Sequence, residues 1–356
     1  MGQRVPEMKM PKLSLALFTR RTGGIDVAKY NLLRQTFKDF EFILIDELYE
    51  KRHEAVEKYF KGSGIDLVHV NASKEHHRRW KPWDYTVCRS MNLALVYARG
   101  ELLVFNGDYW VMSKRALEAV WKAWEKWGKQ GITFLLTPHC KIYTKVKPSF
   151  ISYAKKNRPT WNKQGGSHNL DAPPETYISI YTREFSETPR IGPGNVDRRI
   201  PSAGVYNDMR DPSPNDPPDL KRYHAGEIGD FKYWITGPAV GYGTSVPVKE
   251  AVAVNGWNYI LCPNWGGWEE IDIRMARAFP LRYLCTTSAY GYNLPHDHLW
   301  GRDSPRHLRG SNREMGTLKI IQKKKLEGHY WADNPFNIAE ERNKLREKGI
   351  TDIFNY

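Results

Sequence analysis

Three carboxylates, Glu269, Glu270 and Asp272, open a predicted helix late in the chain. They directly follow a Trp-Gly-Gly-Trp run at 265–268, and paired glycines allow a backbone to approach a ligand closely. The helix dipole favours acidic side chains at this end of a helix. The pattern therefore predicts a strand, a loop and a helix with carboxylates at its mouth, which is the arrangement of a binding or catalytic site. A capped helix with solvated acids is the simpler alternative.

The elements that would position these acids begin with alternating apolar runs and helical patterns. Strand and helix alternation at this spacing is typical of parallel α/β units. In such sheets a ligand lies beyond the carboxyl ends of the strands, where Thr19, Arg21, Asp46 and Asn71 are expected. No G-x-G-x-x-G follows the first strand, so a dinucleotide-dependent dehydrogenase has little support. Strands are predicted at 13–18, 42–47, 65–70, 101–105 and 132–136, and helices at 26–36, 53–60, 85–99 and 116–127.

Composition limits the class of protein. The chain has 356 residues with 40% hydrophobic content, enough for one large domain with a packed core. Its net charge of +14 favours an anionic ligand, nucleic acid or an anionic surface as partner. Four dispersed cysteines, and no apolar run of signal-peptide or membrane-spanning length, predict reduced thiols in a soluble cytoplasmic protein.

Changes in composition and hydrophobic pattern along the chain predict four parts. Residues 1–140 and 235–300 carry the regular α/β patterns. Between them, 141–234 is rich in Pro, Gly, Asn and Asp and is expected to be a long irregular insertion with basic and aromatic side chains. Residues 301–356 are expected to form a basic helical extension, with helices near 315–326 and 337–348.

Several segments resemble family 2 of the inverting glycosyltransferases, which have the nucleotide-sugar-binding GT-A fold. Residues 35–47 are similar to the family's phrase between its first helix and second strand, and 91–101 to the helix before its metal strand. Asn106-Gly107-Asp108 is similar to the D-x-D motif without its first Asp. Residues 266–272 resemble a later acidic motif that supplies the catalytic base. The resemblance covers about 12–138 and 235–300, and it implies a GT-A domain with a mostly parallel sheet flanked by helices.

The resemblance also implies roles for individual residues. Glu270 would be the general base that takes the proton of an acceptor hydroxyl, with Glu269 and Asp272 binding donor or acceptor hydroxyls. A divalent cation, Mn²⁺ or Mg²⁺, would neutralise the leaving nucleoside diphosphate, for which UDP is expected. The implied metal ligands are Asp108, His298 and His296; the donor-nucleotide contacts are Thr19, Arg21, Asp46 and Asn106; the sugar and acceptor contacts are Trp265, Gly267, Trp268 and Tyr109.

Basic residues interleaved with aromatic ones favour a nucleic-acid acceptor, because cations bind phosphates and aromatic rings stack on bases. The hypothesis is transfer to a hydroxylated, hydroxymethyl-type base in DNA, as viruses and phages modify their DNA. The alternatives are a polysaccharide, lipid-linked or protein acceptor, and a non-catalytic nucleic-acid-binding protein on a transferase scaffold, which the missing Asp at Asn106 motivates. The cations assigned to nucleic acid are Arg78, Arg79, Lys81, Lys155, Lys156 and Arg158.

Overall fold

A computed structural model describes the parts of the chain considered below, and every structural statement concerns these residues. They are 10–19, 24–79, 87–107, 110–128, 133–137, 223–236, 243–258, 281–286, 291–293 and 334–347, together with 271, 274, 275, 278, 279, 331 and 332.

The central sheet contains four adjacent parallel strands. These are β1 (Leu13–Thr19), β2 (Phe40–Asp46), β3 (Asp66–Asn71) and β4 (Leu102–Asn106), arranged in the order β3-β2-β1-β4. A short strand, β9 (Ser245–Pro247), runs antiparallel beside β4. The predicted fold class is confirmed: the protein is α/β with a mostly parallel central sheet between helices.

Two apolar layers cover the faces of this sheet. Alternation along β1 directs Ala16 and Phe18 into one layer and Leu15 and Leu17 into the other, because successive strand side chains point to opposite faces. The helices are α1 (Ile25–Arg34), α2 (Tyr49–Phe60), α3 (Ala72–Arg79), α4 (Val87–Tyr97), α5 (Ala116–Trp127), α6 (Val248–Ala253) and α7 (Ile338–Glu347). The Phe18 layer holds residues of α4 and α6, and the Leu17 layer holds residues of α1 and α5.

A second, mixed sheet contains β6 (Thr133–Thr137), β7 (Tyr223–Ile228), β8 (Phe231–Thr236) and β10 (Leu281–Thr286). Its strand order is β6-β10-β8-β7. Regular structure resumes earlier than predicted, because β7 and most of β8 fall within the range 141–234 that was expected to be irregular. The hairpin turn between them contains Gly229, whose positive φ of 61° suits a tight turn. A separate two-stranded sheet pairs β5 (Trp110–Met112) with β11 (Gly291–Asn293).

A polar network around Glu41 joins the amino-terminal ends of the parallel strands. These ends are called the amino edge of the sheet below, and the opposite ends the carboxyl edge. Its side chain is buried and accepts hydrogen bonds from the Arg99 backbone N–H and the Arg99 Nε, both at 2.6 Å, and from the Ser14 hydroxyl. Gly100 donates its N–H to Ser14 Oγ at 2.8 Å. A Cβ at Gly100 would lie 2.6 Å from the Leu13 carbonyl carbon, so the turn into β4 needs glycine there.

The predicted division of the chain into four parts stays a prediction. The helix expected near 315–326 and residues 141–222 of the insertion lie outside the described residues. In the described part of the chain, no helix has the length and apolar character needed to cross a membrane.

Candidate functional site

The strand order places a topological switch point between β1 and β4. The chain builds β1, β2 and β3 in one direction across the sheet and then returns to add β4 on the other side of β1. In sheets of this kind, a crevice lies beyond the carboxyl ends of the two strands at which the strand order reverses. The last residue of β4, Asn106, pairs in register with Leu17, two residues before β1 ends at Thr19. The crevice is where a ligand of such a sheet is expected.

Asn106 has a buried amide with no hydrogen-bond partner among the described residues. The residue is fully buried, and neither Oδ1 nor Nδ2 has a hydrogen-bond partner in the described structure. Most buried polar side chains are hydrogen-bonded, and leaving a donor or acceptor unpaired costs about 1–3 kcal/mol. An unpaired donor and acceptor on one side chain at the switch point are suited to a ligand that offers both.

Asp46, at the end of β2, is saturated by contacts within the protein. Its Oδ2 accepts from Arg52 Nε at 2.7 Å and from His69 Nε2 at 3.0 Å. Its Oδ1 accepts from another Arg52 nitrogen at 2.7 Å and from the Leu48 backbone N–H at 2.8 Å. These bonds fill about four acceptor positions, the capacity of a carboxylate. Asp46 therefore ties α2 and β3 to the sheet edge.

The charge state of Asp46 follows from these contacts. Burial would raise the pKa of the Asp46 carboxyl, but the positive charge of Arg52 and hydrogen bonds from His69 and Arg52 outweigh it and lower the pKa to about 2. The assignment of Asp46 to the donor base stays a prediction. To accept a hydrogen bond from a base, the carboxylate would have to release one of its present partners.

A turn after α6 packs against the tip of β4. Trp257 is buried, and its ring meets that of Phe105 edge to face with 5.4 Å between centroids. Phe105 immediately precedes Asn106, so the turn supports the crevice from the α4 side of the sheet. Ile271, which separates Glu270 from Asp272 in the sequence, is buried in the same apolar layer as Phe105 and Trp257.

Two predicted nucleic-acid contacts, Arg78 and Arg79, are engaged in ion pairs between α3 and α7. Arg79 is buried and contacts Glu75 and Glu341, the latter at 2.8 Å. Arg78 is more exposed and lies 3.2 Å from the same two carboxylates. A phosphate would have to displace these carboxylates to reach Arg79, so this structure does not favour the assignment. The same basic segment contains Glu75, which pairs with Arg79 one helical turn later, and the assignment of these two cations to nucleic acid stays a prediction.

The remaining assigned residues lie outside the described residues, and their roles stay predictions. They include Asp108, the implied metal ligand after β4, and Glu270, the implied general base. The residues are Arg21, Lys81, Asp108, Tyr109, Lys155, Lys156, Arg158, Trp265, Gly267, Trp268, Glu269, Glu270, Asp272, His296 and His298.

The described structure tests the implied metal in one respect only. No group of three or more His, Cys, Asp or Glu side chains among the described residues could hold an ion. Asn106 offers a neutral amide oxygen at the D-x-D position, which is an acceptable ligand for a hard cation but brings no charge. The charged ligands would have to be Asp108 and His298.

Several residues of the site carried no role in the sequence prediction. Arg52 lies in a helix that already looked highly charged, and His69 lies in an apolar strand, so neither pattern indicated a partner. Asn92 of α4 and Arg274 hold the turn at Trp257 through backbone groups that a sequence pattern does not reveal.

Comparison with known proteins gives only distant similarity. No protein-family model and no curated protein sequence matches the chain. S. aureus TarS 1-349 in complex with UDP-GlcNAc is 11% identical with a TM-score of 0.45, over 93% of this chain and 69% of that chain. GalNAc-T7 with UDP, GalNAc and Mn²⁺ is 10% identical with a TM-score of 0.49, over 95% of this chain and 55% of that chain. At these TM-scores the similarity supports no conclusion about function.

Proposed function

We propose that the protein is a glycosyltransferase that moves a sugar from a nucleoside diphosphate sugar to an acceptor hydroxyl. The observation that carries the proposal is the amide of Asn106, at the switch point between β1 and β4, which has no partner in the part of the chain that the structure describes. Ribose hydroxyls and phosphate oxygens supply both the donors and the acceptors that this amide requires. The sequence resemblance adds the acids expected on the other side of the crevice.

The chemistry assigns different tasks to the two sides of the crevice. Asn106 would bind and orient the donor, with Nδ2 donating to an oxygen of the nucleotide and Oδ1 accepting from a hydroxyl. Glu270 would take the proton of the acceptor hydroxyl as that oxygen attacks the anomeric carbon. Burial of Ile271 in the Phe18 layer, which also contains Phe105, supports an approach of the acidic segment to the end of β4.

A divalent cation on Asp108 and His298, when bound, would neutralise the charge that develops on the leaving diphosphate. Carboxylate and imidazole together suit Mn²⁺ or Mg²⁺. Asn106 would contribute at most a neutral oxygen to such a site.

Titration calorimetry with UDP, followed by a turnover assay with UDP-sugars in Mn²⁺ or EDTA, tests the proposal. We expect UDP binding, slow UDP-sugar hydrolysis without an acceptor, and stimulation by Mn²⁺. Glu270→Gln should keep UDP affinity and lose turnover on the order of 10²–10⁴-fold, the usual contribution of a general base. Absence of UDP binding, or full turnover in Glu270→Gln, contradicts the assignment.

For the acceptor, we propose a hydroxylated base in DNA, on the basis of the net charge of +14 and the cation and aromatic pattern. The described cations Arg78 and Arg79 add no support, because both are paired with carboxylates. Transfer to DNA containing hydroxymethylated bases should occur and weaken steeply with salt, while unmodified DNA should accept nothing. Saturating transfer to a simple sugar, a lipid-linked sugar or a protein, indifferent to DNA, would exclude the DNA acceptor. DNA binding without any turnover would favour the non-catalytic alternative.

A further inference from the structure

The turn from Val254 to Trp257 is held by groups from three other parts of the chain. Val254 and Gly256 are the two residues whose carbonyls Arg274 contacts, and Trp257 is the residue that Asn92 contacts. Asn255, between them, adopts a positive φ of 60° and reaches the carboxyl-terminal helix α7. The turn is thus a meeting point of α4, α7 and the helical residues after the acidic motif.

Every backbone N–H and C=O from Val254 to Trp257 has a hydrogen-bond partner. The N–H groups of the first three residues donate to carbonyls of α6, as at a helix end. The Trp257 N–H donates to Asn92 Oδ1 at 2.8 Å, and its carbonyl accepts from Asn92 Nδ2 at 2.7 Å. A side-chain amide that mimics a neighbouring strand in this way fixes both the position and the orientation of the Trp257 peptide groups.

Arg274 closes the other side of the turn. One of its nitrogens donates to the Val254 carbonyl at 2.8 Å, and a second donates to the Gly256 carbonyl. The residue is buried, and Ile271 and Met275 beside it are also buried in the Phe18 layer. The planar guanidinium presents several donors in a fixed geometry, so it suits two adjacent carbonyls better than an ammonium group does.

Packing leaves the turn little freedom to shift. Gly256 has φ 67°, and a Cβ there would lie 2.3 Å from Asn92 Oδ1 and 2.5 Å from Ile338 Cδ1. Asn255 Oδ1 accepts the N–H of Ile338, the first residue of α7, at 2.9 Å. A turn determined from so many sides keeps one conformation, because any displacement breaks several buried hydrogen bonds at once.

We infer that Asn92 and Arg274 are positioning residues, which join the donor side of the crevice at the β4 tip to the helical residues that follow the acidic motif. The inference rests on the proposed function and names residues outside its chemistry. Trp257 transmits the connection to β4 through Phe105, and Arg274 transmits it to its buried neighbours Ile271 and Met275. Neither residue needs to touch substrate. Their effect is on the separation between the bound donor and the base.

The test compares Arg274→Lys and Asn92→Asp with the wild-type protein by hydrogen exchange and by kinetics. Arg274→Lys keeps the charge and can keep one hydrogen bond; Asn92→Asp keeps the shape but loses the donor to the Trp257 carbonyl. We expect exchange within 250–258 to rise about tenfold, since the opening becomes local rather than global. The kcat for transfer should fall by about 10–100-fold at nearly unchanged UDP affinity, as expected for a displacement of about 1 Å.

Arg99→Lys is the matched control, because Arg99 is another largely buried arginine at the opposite edge of the sheet. It should change neither exchange in 250–258 nor kcat. Unchanged exchange in both test variants overturns the inference, as does raised exchange with an unchanged kcat. If the wild-type protein turns over no UDP-sugar, the proposed function fails separately, and the exchange data alone decide whether Asn92 and Arg274 hold the turn.

Discussion

The two edges of the central sheet differ in how completely their buried polar groups are satisfied. At the amino edge, Glu41 is surrounded by donors from Ser14 and Arg99, and these contacts close the turn into β4. At the carboxyl edge, the amide of Asn106 stays unpaired among the described residues. The same strands carry both edges, so the difference distinguishes groups that hold the fold from the group that we propose binds the donor.

Asp46 sharpens this comparison because it lies at the carboxyl edge but is satisfied like Glu41. Its partners Arg52 and His69 belong to the protein, and all three side chains are fully buried. Position beyond the end of a strand is therefore insufficient to identify a ligand contact. The hydrogen-bond balance of the side chain is the better criterion.

The largest expected effect is from Arg52→Met, which would leave the Asp46 carboxylate buried without its cation. Removal of one partner of a buried ion pair costs about 3–5 kcal/mol. Urea unfolding should show this loss, and the double variant Arg52→Met with Asp46→Leu should recover part of it. A loss of unfolding free energy below about 1 kcal/mol in the single variant would mean that Arg52 does not stabilise the Asp46 carboxylate. The contrast between Asp46 and Asn106 would then fail.

Acid should destabilise the protein through the same group. The pKa of Asp46 is about 2 in the folded protein, below the ordinary value of about 4, so its contribution is fully present above pH 4 and is lost as the pH falls toward 2. The contribution is about 2 kcal/mol. Urea unfolding of the wild-type protein and Asp46→Asn at pH values from 5 to about 2 measures it. Equal slopes for the two proteins would contradict the low pKa.

Asn106→Leu should have the smallest effect on stability and the opposite sign. Leucine has nearly the shape of asparagine and removes two unpaired polar atoms, so the ligand-free protein should gain about 1–2 kcal/mol. UDP affinity should fall at least about tenfold, the effect of losing about 1.4 kcal/mol of binding. Glu41→Gln, at the amino edge, should instead lose stability and retain UDP affinity. If Asn106→Leu loses stability, the amide has a structural role and the contrast between the edges disappears.

The sequence predicted the parallel α/β core well, because its strands are short apolar runs and its helices have a clear apolar face. The residues Thr19, Asp46 and Asn71 lie at the carboxyl ends of their strands, as the sequence predicted. Pairings between distant residues could not be predicted. Asn92 contacts Trp257 across 165 residues and Arg79 contacts Glu341 across 262 residues, and each contact depends on how the helices pack. The saturation of Asp46 has the same origin, since His69 reaches it from the neighbouring strand.

The neutral amide of Asn106 at the end of β4 has a consequence for the empty protein. A buried carboxylate at this position would carry a charge that requires a counter-ion, whereas an amide carries none. The chain can therefore complete its sheet before any ion or nucleotide arrives. Chelators should therefore lower the activity proposed above without denaturing the protein.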